Sequence, residues 1–248
     1  MRLEGKVAVV TGGNSGIGLA IARAYREEGA DVAILGRDPE SLAVAASDLG
    51  PAALARRGDV GRIDDLVRLF AETAERFGGV DVVVACAGLY EPTPFEEVGE
   101  EEFDRTCDVN FRGTFFTVQA ALPHIREGGS VILVTSTANT AGVPGLSVYA
   151  ATKAAVRSLA RTLAVELQPR GVRVNALSPG MIDTPIFDRL GMSAEDRSRL
   201  ENAMVGQIPL GRFGRPAEVA AAAVFLASDG SSYVTGAEIP VSGGLGQV

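Results

Sequence analysis

The sequence predicts an α/β fold, a doubly wound parallel sheet of about seven strands with helices on both faces. Three observations lead there. Short β-branched runs alternate along the chain with longer segments of helical period. A glycine-rich turn stands between the first such run and the first helical segment. The 248 residues are 46% hydrophobic and 22% charged, enough for one large core and too evenly mixed for a disordered chain.

The strong strands are expected at residues 6–10, 31–35, 80–86, 131–135 and 172–176, and weaker ones at 52–56 and 237–241. Ile17, Ala20, Ile21, Ala24 and Tyr25 fall three or four apart, so they share one face of the first helix, while Arg23, Arg26 and Glu27 face water. Gly29 stands where a helix C-terminal cap belongs. The second helix starts from Asp38 as its N-cap, with Pro39 in the first turn, where a missing N–H costs nothing. Further helices are expected near 62–76, 103–125, 149–167 and 216–227. No repeat, linker or shift in composition marks a second unit, so residues 1–248 read as one dinucleotide-binding and catalytic domain. Residues 179–210, long for a connection in a compact domain, read as a substrate loop or lid.

Composition excludes several partners. Twenty-three Lys and Arg against 31 Asp and Glu give a formal charge of -8, which repels nucleic acid and anionic membrane surfaces. No apolar run approaches the ~20 residues that cross a bilayer. Residues 1–6 lead straight into the first strand without an apolar signal core, which points to a cytoplasmic protein. Two cysteines, Cys86 and Cys107, are too few for a disulfide framework, and His124, the single histidine, leaves no cluster for a metal. His124 itself is expected at the surface near a helix end. Arg56 with Arg57, Arg170 with Arg173, and the acidic run Glu100 to Glu102 read as solvated faces or a helix start.

The glycine turn is Thr11-Gly12-Gly13-Asn14-Ser15-Gly16-Ile17-Gly18. Glycines there let the backbone turn tightly and approach a pyrophosphate, which the N–H groups and positive end of the following helix stabilise. The Lys-Ser/Thr pair of a P-loop is absent, so the turn reads as a Rossmann-type dinucleotide site, with Gly12, Asn14, Ser15, Gly16, Ile17 and Gly18 as its lining.

Tyr149 and Lys153 lie at i and i+4 on an expected helix, so phenol and ammonium project from one face. Moving a phenol from a pKa of about 10 to near 7 requires roughly 4 kcal/mol. One ammonium at ~5 Å and an effective dielectric of ~20 supplies about 3 kcal/mol, so Lys153 is expected to give most of the shift. No serine sits in the G-x-S-x-G pattern of a hydrolase.

The turn Thr11 to Gly18 together with Tyr149-Ala150-Ala151-Thr152-Lys153 resembles the classical short-chain dehydrogenase/reductase family, over essentially the whole chain. The resemblance implies an oxidoreductase in which Tyr149 is the general acid/base and Ser136 hydrogen-bonds the substrate oxygen. It implies that Lys153 binds the nicotinamide ribose and that Asn110 links Lys153 through water to solvent. Asp59 and Val60 are implied at the adenine, Pro179, Gly180, Ile182 and Thr184 at the nicotinamide, and Ala87 and Gly88 beside them. A homotetramer is implied, built on helices 103–125 and 149–167 and the last strand. One departure stands out: the family's Asn-Ala-Gly is here Cys86-Ala87-Gly88, and a thiol is a weak hydrogen-bonding group that leaves the tie between central strands to something else.

The dinucleotide is read at the end of the second strand. A carboxylate at position 36 would accept from a ribose diol, but Gly36 stands there, followed by Arg37, whose guanidinium suits a 2′-phosphate. NADP(H) is favoured, with NAD(H) the alternative. Residues 89–95, 138–148 and 181–204, mostly apolar or small, would wall the substrate, pointing to a small uncharged ketone or secondary alcohol. Other readings stay open: a dinucleotide-binding sensor or scaffold without turnover, a 3-oxoacyl thioester reductase, or an epimerase or dehydratase.

Overall fold

The computed structural model describes residues 1–185, 195, 199 and 203–247. The remainder of the expected substrate loop, 186–194, 196–198 and 200–202, lies outside the described residues. In chain order the elements are β1 (Val7–Thr11), α1 (Gly16–Glu27), β2 (Asp31–Gly36), α2 (Pro39–Leu49), β3 (Leu54–Arg57), α3 (Ile63–Phe77) and β4 (Val80–Ala85). Then follow α4 (Glu100–Cys107), α5 (Gly113–Ala121), β5 (Ile125–Val134), α6 (Ser147–Glu166), β6 (Arg173–Pro179), α7 (Pro216–Ala227) and β7 (Glu238–Val241). The seven strands form one parallel sheet in the order β3-β2-β1-β4-β5-β6-β7.

Strand order reverses between β1 and β4, and the loops leaving their carboxyl ends diverge to opposite sides, opening the crevice where such sheets bind ligands. Alternate strand residues feed two apolar layers. Ala8, Val10, Val32, Ile34, Val82 and Val84 pack toward α1, α2 and α7. Val9, Ala33, Leu35, Val83 and Ala85 pack toward α3, α5 and α6. Tyr25, fully buried on α1, satisfies its hydroxyl by donating to the Ala223 carbonyl of α7 at 3.1 Å. Asp38 caps α2 as expected, accepting from the Ser41 N–H at 2.8 Å.

The helix expected over 103–125 is a correction. The chain runs through α4, widens into a π turn at Asp108–Arg112, and resumes as α5, which stops at Ala121. Ile125 already pairs with Val80 in the sheet, and the register then shifts before Val82 meets Ser130. Gly128, at φ 74, supplies the left-handed turn of that irregularity, and Arg126 pins it by donating to Asp81 at 2.6 Å and to the Phe77 carbonyl. β5 is therefore longer than its β-branched tail suggests.

Arg170 and Arg173 are a second correction. Instead of facing water, Arg170 donates to the carbonyls of Leu122 (2.9 Å) and Ile125 (2.5 Å). Arg173 donates to Leu226 (2.8 Å), Ser228 and Val234. Carbonyls at the ends of α5 and α7 lack intrahelical partners, and the two guanidiniums supply donors to them. His124 is half-buried in the turn before β5, and Arg56 pairs with Glu72 of α3; Arg57 is exposed and Glu100 to Glu102 open α4, as expected. Among the described residues no helix is long and apolar enough to cross a membrane, and no group of side chains could hold a metal.

Candidate active site

One cavity of about 790 Å³ opens at the carboxyl edge of the sheet. The glycine turn, Arg37, Asp59, Val60, Ala87 and Gly88 line one end, and Pro179, Gly180, Ile182 and Thr184 line the flank. Ser136, Tyr149 and Lys153 line it too, so every expected site residue except Asn110 faces this space.

Two glycines explain the shape of the turn. Gly12, at φ 68, lies so near the opposite loop that a Cβ would sit 2.9 Å from the Ala87 Cα. At Gly18 a Cβ would fall 2.2 Å from the Gly12 carbonyl oxygen, closer than any real contact. The turn thus folds against the start of α1, whose first turn carries no acidic side chain to oppose an anion. A cradle that closed to side chains, ending in helix N–H groups, fits a pyrophosphate.

At the far end, a Cβ on Gly36 would meet the Asn14 side chain at 2.5 Å. Asn14 occupies the place a ribose-binding carboxylate would need, and donates to the Ser41 hydroxyl at 2.8 Å. Arg37 stands beside it, half exposed, with a guanidinium nitrogen 3.9 Å from Asp59.

Thr11 resolves the question posed by Cys86. Its hydroxyl accepts from the N–H groups of Cys86 (3.2 Å) and Ala87 (3.4 Å) and contacts the Val84 carbonyl at 3.4 Å. The strand tie runs through the Thr11 side chain and the backbone at 86, so the side chain there is free to be a thiol. Burial pushes that thiol up to about 11, against the pull of Lys153, which keeps it protonated at neutral pH.

Asn110, fully buried in the π turn, clamps the loop after β4. It accepts from the Leu89 N–H at 2.7 Å and donates to the Leu89 carbonyl at 3.0 Å and the Thr152 hydroxyl at 3.3 Å. The Asn110 amide oxygen and the Lys153 ammonium both lie 3.5 Å from where a Cβ on Gly88 would be. Asn110 and Lys153 thus both approach Gly88, Lys153 lining the cavity and Asn110 not.

Ser136 caps a short turn at Thr137–Asn139 and its hydroxyl accepts from the Ala138 N–H at 3.2 Å. Lys153, 4% exposed, donates to the Val134 carbonyl at 3.0 Å and lies 5.7 Å from the centre of the Tyr149 ring. Burial pulls its ammonium down to about 8. Burial pushes the Tyr149 phenol up to about 12, partly offset by the Ser136 hydroxyl, with Tyr90 and Cys86 adding to the rise.

The net direction is opposite to the one expected from Lys153 alone, because that expectation counted the ammonium and not burial. Desolvation acts on both groups, and the ammonium is engaged by a backbone carbonyl beside the ring face. The phenol is consequently held neutral. A further group the sequence reading did not single out is Tyr90, whose ring meets Tyr149 edge-on with centroids 5.2 Å apart. Its signal was positional, since it follows Cys86-Ala87-Gly88-Leu89 at the ligand-binding edge of the sheet.

Lys153 gives a pH prediction. Its folded pKa of about 8 lies below the usual 10.5, so between those values the unfolded chain binds more protons and stability rises with pH. In paired melts, the parent should gain on Lys153→Met across that window, by up to about 3 kcal/mol. A gap independent of pH would contradict burial of the amine.

The family model described as enoyl-(acyl carrier protein) reductase matches residues 12–246. The chain is 44% identical over 250 residues to the oxidoreductase asL5 of Sarocladium schorii, covering 100% of this chain and 98% of that one. It is 42% identical over 246 residues to an L-fucose dehydrogenase of Mus musculus, covering 98% and 89%. A crystal structure from Brucella melitensis, described as a short-chain dehydrogenase/reductase of the glucose/ribitol dehydrogenase kind, superposes with a TM-score of 0.92 at 36% identity, covering 98% of each chain.

Proposed function

The chain belongs to the short-chain dehydrogenase/reductase family of oxidoreductases, and from that premise we propose that it moves a hydride between NADP(H) and a small ketone or secondary alcohol. The observation that carries the reading is the convergence of Ser136, Tyr149 and Lys153 on the same cavity as the glycine turn.

The proposed roles follow from position. Gly12, Asn14, Ser15, Gly16, Ile17 and Gly18 receive the pyrophosphate, Asp59 and Val60 flank the adenine, and Ala87, Gly88, Pro179, Gly180, Ile182 and Thr184 bracket the nicotinamide. The nicotinamide, when bound, supplies or accepts the hydride. Ser136 donates to the substrate oxygen and holds it for Tyr149. Tyr149, neutral as placed, gives its proton to that oxygen when a carbonyl is reduced. Lys153 holds the cofactor ribose and, with Asn110 at its back, returns a proton to the phenol.

The cavity wall includes Leu89, Val143, Met181, Met204 and Leu245, with Tyr90, Thr137 and Gln207 among its polar members. An uncharged ketone with apolar substituents suits that wall better than a polyol, whose hydroxyls would find few partners. The net charge of -8 disfavours an acidic carrier protein bearing an acyl thioester. The same proposal treats residues 1–248 as one working unit, with 179–210 as the substrate loop. It also has a cytoplasmic homotetramer, supported by exposed Phe103, Phe111 and Phe115 on one helical stretch.

The test is a panel of aliphatic and aryl ketones, with L-fucose and its oxidised form beside them, assayed with NADPH. Oxidation of NADPH by the ketones supports the reading; tight NADPH binding with no turnover across the panel favours a sensor. Cofactor choice is tested separately. Arg37→Glu should weaken NADPH by about 10- to 100-fold, the worth of a charged hydrogen-bonding pair, while NADH is spared. An unchanged NADPH to NADH ratio would transfer the choice to NAD(H).

A further inference from the structure

Behind the active-site strand lies a polar cluster that none of the roles above uses. Glu238, on the edge strand β7, reaches across β6 with one carboxylate oxygen accepting from the Thr135 hydroxyl at 2.8 Å and the Asn139 amide at 2.6 Å. Its other oxygen lies 3.2 Å from the Arg157 Nε, and both side chains are largely buried, at 16% and 20% exposure. Arg157 also donates to the Gly236 carbonyl at 3.0 Å, while its Nη1 is buried without a partner.

The residues that Glu238 gathers flank the reacting groups on both sides. Thr135 immediately precedes Ser136, and Asn139 closes the short turn that Ser136 caps, its N–H donating to the Ser136 carbonyl at 3.0 Å. Arg157 is on α6 at i+4 from Lys153 and i+8 from Tyr149, hence on the same helical face, one and two turns away. A single carboxylate therefore links the strand end bearing Ser136 to the helix bearing Tyr149 and Lys153.

We propose that Glu238 and Arg157 are positioning residues that set the separation of Ser136 from Tyr149. The inference rests on the proposed redox reading for its kinetic arm alone. The physical reason for the arrangement is that α6 is otherwise tied to the end of β5 by the Lys153 hydrogen bond to the Val134 carbonyl, on the near side of Ser136, which leaves the turn beyond Ser136 to be fixed separately. A fixed charged hydrogen-bonded link is directional and resists small slips. Ser136 must meet the substrate oxygen at hydrogen-bond distance from the phenol, and displacement of such groups by about 1 Å can cost 10²-fold in rate.

The experiment compares the parent with Glu238→Gln, Arg157→Met, Arg157→Lys and the double variant Glu238→Gln/Arg157→Met. Turnover of the best ketone is measured with NADPH, and a crystal structure of Glu238→Gln is determined. Expected are a fall in kcat of about 10- to 100-fold in each of the first two variants, KM for ketone and NADPH within about twofold, and substantial recovery in Arg157→Lys. The double variant should be no slower than the worse single one, because the two residues act through one link. In the crystal, the Ser136 hydroxyl should have shifted relative to the Tyr149 phenol. Rates within twofold of the parent, or losses that multiply in the double variant, would overturn the inference. If the parent turned over nothing, the redox reading would fall while the crystal comparison still decided this one: an unchanged Ser136–Tyr149 separation between parent and Glu238→Gln rejects it and a changed separation sustains it. If Glu238→Gln did not fold, Arg157→Met and Arg157→Lys carry both readouts.

Discussion

Tyr149→Phe should lower kcat for carbonyl reduction by about 10²–10⁴-fold while leaving NADPH affinity within about twofold. The substitution removes one oxygen and keeps the ring, so the edge-on contact with Tyr90 and the packing beside Lys153 survive. What is lost is the proton that the phenol holds at neutral pH. Folding should change little, because the ring still fills its site and Tyr149 lines the cavity. Paired measurements of kcat, NADPH affinity and Tm test this. A variant within tenfold of the parent would mean that some other group delivers the proton. Loss of binding and rate together would mean that the ring, and not the hydroxyl, was the working part.

Gly18→Ala should act at the opposite end of the cavity. The added methyl would fall 2.2 Å from the Gly12 oxygen and 2.8 Å from its carbonyl carbon. Gly12 cannot retreat, since it is already wedged against Ala87. The backbone must therefore open, at about 1–3 kcal/mol of strain and a Tm loss on the order of 5 °C. Opening withdraws N–H donors from the pyrophosphate, so NADPH should weaken about tenfold or more. Gly99→Ala is the control: a Cβ there meets nothing within 4 Å and its φ is -86. Equal behaviour of the two variants would remove the cradle from the account.

The features legible in the sequence were those set by local chemistry. The β-branched runs, the Asp38–Pro39 helix start and the glycine turn carry their structure in neighbouring residues, and the seven strands and their crevice followed. The spacing of Tyr149 and Lys153 was equally local, because i and i+4 share a helix face wherever the helix goes. Features set by distant contacts were not legible. The π turn at Asp108–Arg112 leaves no mark in hydrophobic period, and Ile125 joins β5 only because Val80 lies opposite it. Arg170 and Arg173 look like surface charges until the helix ends they serve are known. The effect of burial on Tyr149 was not legible for the same reason. A pair energy can be written from spacing, whereas desolvation and the Val134 carbonyl that holds Lys153 exist only in three dimensions.

Hydride should reach a carbon whose oxygen is protonated by Tyr149. The most direct measurement uses NADPH carrying deuterium at its hydride-donating carbon, with a ketone that turns over, and locates the label in the product. The account predicts one deuterium on the carbinol carbon of the alcohol in the parent chain, and no labelled alcohol with Tyr149→Phe in the same time. Alcohol formed without the label, or labelled alcohol formed as fast without the phenol, would contradict it.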